Sequence, residues 1–214
     1  MEVASTECPK GRPRAILAIG AHPDDIELGC GGTLAKLGAE GVPVRALIFS
    51  KGRRGVVNDE DRAIETRVAL GQIGITDIHV YDFEDTKLWL NVTDLIGVIE
   101  QHVRELKPFR VYTMFHQDRH QDHRAVHEAS TVACRSVDQL LGYETPSSYP
   151  NFTPTVFEAI GDQIEQKVRA LHSHKSQGER VYMQEEQIRS AANFRGTQIG
   201  VGPAEGFIPY KMIM

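Results

Sequence analysis

Residues 15–33 read AILAIGAHPDDIELGCGGT, and this stretch decides the fold class. Ala15–Gly20 is a continuous apolar run closed by glycine, the pattern of a strand buried on both faces of a parallel sheet. A polar turn and three glycines around Cys30 follow. Gly29-Cys30-Gly31-Gly32 lacks the spacing of a phosphate-binding loop, so it reads as close helix–strand packing with Cys30 a buried small residue. A short helix is expected over Thr33–Glu40.

Outward from this unit, strand and helix patterns alternate. Strands are expected at Val44–Phe49, Ile78–Tyr81 and Arg110–Met114. Helices are expected at Asp59–Ile73, opened by acidic residues, and at Thr93–Leu106, whose apolar positions fall at helical spacing before Pro108. A further helical pattern runs from about Asp122 to Val137. The last third is less regular, with a turn-rich Gly142–Pro154, a strand near Thr155–Glu158, a helix Gly161–Ser173 and a strand-like Phe207–Ile213. The alternation predicts a single α/β domain over residues 15–214, a Rossmann-like, mostly parallel sheet with helices on both faces. Residues 1–14 read as a polar leader outside that domain, expected to be flexible.

Composition narrows the function classes. The 214 residues are 41% hydrophobic and 25% charged, ordinary for a globular chain. A net charge of −5 without a basic stripe argues against a nucleic-acid partner. No apolar run approaches the ~20 residues of a membrane span, and the start lacks the pattern of a signal peptide. Three cysteines without CxxC spacing suit a reducing compartment, so a cytoplasmic location is expected.

Ligands of open α/β sheets bind beyond the carboxyl ends of the strands. Two segments there are dense in ligand-type residues: Ala21–Gly29 after the first strand and His116–His123 after the fourth, with His127 one turn on. His22 and Asp25 are three apart, so one turn aims both at a single ion, while Asp24 must point elsewhere. The second segment adds an imidazole from His120 or His123. Two histidines and one aspartate with open positions form the ligand count of a catalytic metal site, which brings the pKa of bound water to about 7. Taken singly, each segment has a plainer reading, a capped helix start or a solvated helix face. Both at strand ends of one sheet favour the metal site.

The AHPDDxxLG turn with the later DxHxDH segment resembles the PIG-L/LmbE-like N-acetylglucosaminyl deacetylases, which are zinc-dependent. The similarity runs from Ala15 to about Phe207 and takes in His174–Gln177 and Ala204–Phe207. The resemblance implies His22, Asp25 and His123 as zinc ligands, with iron or another divalent ion compatible with the same donors. It implies Asp24 as general base, His120 as the group steadying the oxyanion, and Asp122 as the residue orienting His120. His120 or Asp24 would protonate the departing amine. Arg62 and Asp85 match sugar-contacting positions more loosely. Ile26 follows the aspartate pair where the family more often has glutamate, a mild departure that leaves the ligands untouched.

The implied partner is a small-molecule amino-sugar conjugate, and the resemblance allows a homo-oligomer. Trp89, Tyr143 and Tyr149 are aromatic candidates for sugar stacking, with packing or loop roles as the plainer alternative. The 142–154 stretch reads as a substrate lid or a simple connection. Competing readings are an amidase for a non-acetyl amide of a thiol conjugate or antibiotic, a non-haem iron oxygenase and a phospho-receiver domain. The alternation of strands and helices disfavours the oxygenase, and the histidine cluster disfavours the receiver.

Overall fold

The computed structural model describes residues 15–55 and 62–213. The expected leader 1–14, and residues 59–61 of the expected second helix, lie outside them. Seven strands form one sheet: β1 (Ile16–Gly20), β2 (Val44–Ile48), β3 (Asp77–Val80), β4 (Arg110–Met114), β5 (Gln139–Tyr143), β6 (Val156–Ala159) and β7 (Ala204–Met212). Their order is β3-β2-β1-β4-β5-β7-β6. The first five are parallel, while β7 runs antiparallel to both β5 and β6.

Six α-helices connect them: α1 (Asp25–Ala39), α2 (Arg62–Gln72), α3 (Val92–Leu106), α4 (Gln121–Ala133), α5 (Ile164–Leu171) and α6 (Glu185–Thr197). Helices α1, α2 and α5 pack together on one face, and α3 and α4 on the other. This follows from right-handed crossovers that run from β1 toward β2 and then back to β4 on the far side. The reversal leaves a crevice beyond the ends of β1 and β4, the natural ligand position of such sheets. The Rossmann-like expectation therefore holds, with an antiparallel edge added.

Three expectations need correction. The helix expected at Thr33 begins at Asp25, and the glycines lie inside it, with a break at Cys30 (φ −143°). Glycine lowers helix propensity, but here tertiary contact overrides it: a Cβ on Gly29 would lie 2.0 Å from the Tyr143 ring. Strand β5 covers residues 139–141, to which the sequence pattern assigns no element, and the first two residues of the expected turn. Its Gly142 is no turn residue; it lets the Tyr210 ring of β7 cross within 2.5 Å of where a Cβ would stand. Helix α6 was not expected, because its buried face is only Ile188, Ala192, Arg195 and Gly196, and Phe194 is exposed.

The break in α1 frees amides that the helix would otherwise pair. Glu205 of β7 accepts from Gly32 N (2.9 Å), Thr33 N (2.7 Å) and Thr33 Oγ1 (2.6 Å). Lys167 of α5 completes the cluster, donating to Glu205 (2.5 Å) and to Leu28 O (2.7 Å). Glu205 thus caps the second half of α1 from another strand. Glu205→Ala should destabilise the fold by ~3–5 kcal/mol, because it strands a buried ammonium. Glu205→Gln, which keeps an acceptor, should cost less; urea unfolding of both variants measures the difference.

Candidate metal centre and active site

The site is built from two connections. Residues 22–25 leave β1 and enter α1, and residues 116–120 leave β4 and enter α4. Pro23 stiffens the first turn, and Asp24 takes a left-handed backbone (φ 100°, ψ −25°) as the helix begins. A non-glycine residue in that region stores ~1–3 kcal/mol, and such strain gathers at functional sites. The left-handed turn separates the Asp24 carboxylate from Asp25, which bonds back onto the amides of Ala21 (3.0 Å) and His22 (2.7 Å) through Oδ2.

The other oxygen of Asp25 lies 3.3 Å from His123 Nε2, and His22 Nδ1 is 3.6 Å from Oδ2. The opposite nitrogen of each ring faces buried carboxylate. His22 Nε2 is 3.2 Å from Asp122 and 3.3 Å from Asp85, and His123 Nδ1 is 3.1 Å from Asp118. Burial pulls both imidazoles down, but the carboxylates around them hold them up, His123 to about 9, and His22 Nδ1 and His123 Nε2 are the nitrogens that would be left to face a cation beside Asp25. This is the support that metal-binding imidazoles require. Among the described residues two groups of donors lie close enough to share one cation, His22 with His120 and His123, and His22 with Asp85 and Asp122, while Asp25 faces both His22 and His123.

The His120 ring stands 4.6 Å from that of His22 and 4.7 Å from that of His123. Ligand atoms of the three imidazoles lie within 4.8 Å of one another, so His120 is itself within reach of a cation held there. Burial first, and then the neighbouring imidazoles, push His120 down to about 4. Its Nδ1 accepts from the Asp122 amide (3.2 Å), which leaves the proton of the neutral ring on Nε2. Burial raises Asp24 to about 6, against the pull of the Arg62 guanidinium.

Several sequence-derived assignments change character here. Asp122 meets His120 through its main chain; its carboxylate serves His22 and the amides of Thr86 (2.7 Å) and Leu88 (3.0 Å). Asp85 reaches the cavity wall, but its oxygens are taken by His22 and the Arg54 amide (2.7 Å). Arg62 is buried and holds Asp24 Oδ2 (3.1 Å), Pro23 O (2.7 Å) and Gly52 O (3.1 Å). Both residues line the cavity, and both also brace the side chains of the centre.

Asp118 was not singled out as a site residue. It is fully buried and takes the His120 amide (2.8 Å) together with hydroxyls of Thr145 (2.8 Å) and Ser147 (2.6 Å). Burial alone would raise it, but His123 and those donors hold it down to about 2. Its position at the head of the DxHxDH segment was the available signal. The side chains that meet it there come from the 145–147 turn, which no spacing rule links to it.

The cavity over this centre has a volume of about 390 Å³, within the range of small-molecule sites. Asp24, Asp25 and Asp85 form its floor, and Arg54, Arg119 and Arg180 line it farther out. Arg54 approaches Glu84 at 3.5 Å, whereas Arg119 and Arg180 have no carboxylate partner among the described residues. Thr145, Pro146 and Ser147 make one wall, so part of the 142–154 stretch borders the cavity. Of the aromatic candidates, Tyr143 is buried with its hydroxyl on Ile19 O (2.7 Å), and Trp89 and Tyr149 are exposed away from the lining. Tyr182 supplies the aromatic surface instead.

The profile of the family described as PIG-L, GlcNAc-PI de-N-acetylase, matches residues 17–134. The chain belongs to the PIG-L family. The resemblance read from its two motifs is thereby borne out. It is 45% identical over 169 residues to the uncharacterized deacetylase YaiS of Escherichia coli (strain K12), covering 76% of this chain and 91% of that protein. It is 30% identical to the diacetylchitobiose deacetylase of Thermococcus kodakarensis, covering 92% and 84% respectively. The crystal structure of the conserved protein TT1542 from Thermus thermophilus superposes with a TM-score of 0.83 at 28% identity, over 93% of this chain and 95% of that one. The chain is a hydrolase of the N-deacetylase kind.

Two outcomes test the centre. His22→Ala and His123→Ala should lose zinc on dialysis, while His120→Ala retains it, as measured by elemental analysis. Asp118→Ala should weaken metal affinity by ~10–100-fold in competition with a chelating dye, through loss of the carboxylate behind His123.

Proposed function

We propose that this chain removes the N-acetyl group from a soluble N-acetylglucosamine-type conjugate, using a divalent cation, zinc by preference, held by His22, Asp25 and His123. The observation that carries this reading is the placement of Asp24. It stands between two metal-ligating positions in sequence, yet its left-handed backbone turns it onto Arg62 at the cavity floor, free of the ligand set. A carboxylate beside an ion but not bound to it is the arrangement of a general base.

The bound cation supplies positive charge to the acyl carbonyl and makes water more acidic. Asp24 takes the proton from the attacking water, and Arg62 holds the carboxylate in place while it does so. His120 carries its ring proton on Nε2 and lines the same cavity. It donates toward the carbonyl oxygen as charge gathers there, a contribution worth ~3–4 kcal/mol at comparable sites. Departure of the amine requires a proton on nitrogen, and Asp24, protonated in the first step, supplies it; His120, neutral with Nδ1 held by the Asp122 amide, donates a hydrogen bond and keeps its proton.

The sugar assignment is supported by the named activity of the Thermococcus relative, a diacetylchitobiose deacetylase. The basic outer lining favours conjugates that carry negative charge. No helix among the described residues is long and apolar enough to cross a membrane, and Cys30 and Cys134 are free and buried, in keeping with a cytoplasmic setting.

Acetate release from a panel of soluble N-acetylglucosaminides, with zinc-loaded protein and a chelator-stripped control, tests the reaction. Metal-dependent release is expected; equal release after stripping would remove the cation from the chemistry. Asp24→Asn should keep its zinc while turnover falls by ~10²-fold or more. Turnover near that of the unaltered chain would sink the base assignment.

A further inference from the structure

The grip of Arg62 on Asp24 is not self-positioning. One nitrogen, NH2, serves both Asp24 Oδ2 and Pro23 O, and NH1 turns to Gly52 O. Among the described residues the guanidinium makes no two-pronged contact with the carboxylate, and its Nε has no partner. A forked arginine–carboxylate pair fixes its own geometry, whereas a single contact takes its geometry from the backbone that carries it. The position of α2 against the first turn of α1 therefore decides where Asp24 points.

One turn along α2 from Arg62 lies Thr66, on the same face. Its hydroxyl donates to Glu27 Oε1 (3.2 Å), one turn along α1 from Asp24. His174, in the turn after α5, donates from Nε2 to the same oxygen (2.9 Å). Glu27 is 1% exposed, Thr66 0% and His174 1%. The two helices are thus joined by parallel rungs: Arg62 to Asp24 at the cavity, and Thr66 to Glu27 behind it.

His174 contributes little as packing polarity, because its Nδ1 is buried without a partner among the described residues. An unmet donor or acceptor of that kind costs ~1–3 kcal/mol. The imidazole is nonetheless kept, with its one bond directed to Glu27. None of the three residues lines the cavity.

We propose that Glu27, Thr66 and His174 are positioning residues for the hydrolysis, acting through Asp24 by fixing the spacing of α1 and α2. This rests on the reading of Asp24 as general base. The rear rung holds the helices so that the single Arg62 contact leaves the carboxylate aimed at the attacking water.

The test is a double-mutant cycle on zinc-loaded protein, with kcat, KM, zinc content and thermal midpoint measured for each variant. Thr66→Val removes one hydroxyl at nearly constant shape, and Glu27→Ala removes the whole rung. Each should lower kcat by ~10-fold with KM and zinc content nearly unchanged, since a small misplacement of a catalytic group costs that much or more. Glu27→Gln keeps an acceptor for both donors and should restore kcat to within about threefold. In the Asp24→Asn background, Thr66→Val should lower kcat no further, because both changes then remove the same contribution. An equal drop in both backgrounds, or a kcat loss that follows zinc loss, would overturn the proposal and leave Asp24 in its role. Full activity of Asp24→Asn alone would instead overturn the base assignment, and this inference with it. Should Glu27→Ala fail to fold, the Thr66→Val cycle decides the matter.

Discussion

A single carboxylate brought from the far end of the chain makes the broken helix possible. Glu205 takes the two amides and the hydroxyl that follow the break at Cys30, and Lys167 neutralises it from α5. Without that cap the second half of α1 would leave buried N–H groups unpaired, and the glycines would favour other conformations. With it, the first turn of α1 is free to carry Asp25 and Glu27 at an angle the straight helix would not provide. The same tie fastens β7, the antiparallel neighbour of β5, to α1.

The centre itself is an arrangement of negative charge behind imidazole. Asp85, Asp118 and Asp122 are buried, and each would be costly alone, yet each is met by backbone amides, hydroxyls or both. Carboxylates anchored by that many donors are rigid, so they hold the His22 and His123 rings in one orientation. The donors come from the turns after β2, β3, β4 and β5, and this is how surface connections become parts of the site. Arg119 and Arg180 line the same cavity, whose acidic lining among the described residues is Asp24, Asp25 and Asp85.

Much of this was legible in the residues. Strand β4 lies at the limits its apolar run suggested, and α3 starts one residue before them, because those patterns follow local periodicity undisturbed. Helix α1 and strand β5 were misread for one reason. Their glycines signal turns by propensity, but here they are sites of close approach, Gly29 to Tyr143 and Gly142 to Tyr210. The partner of each lies far along the chain, beyond the reach of any local rule. Helix α6 is mostly polar with few buried positions, so it carries little periodic signal.

The sequence by itself determined the class of sheet, the two strand ends that carry chemistry and the residue types gathered there, since these follow from apolar periodicity and short-range spacing. It determined that Asp24 and Asp25 must diverge, because neighbours on one turn cannot both face a single ion. Tertiary structure alone decided what stands behind each of these groups. It set Asp122 and Asp85 on His22, Asp118 on His123 and Arg62 on Asp24. Only the pairing of Asp118 with His123 is local; Arg62 and Asp24 are 38 residues apart, and His22 and Asp122 are 100 apart. Hydrogen-bond partners at such separations are chosen by the packing of α1, α2 and α4 around the crevice, and packing is a property of the whole chain.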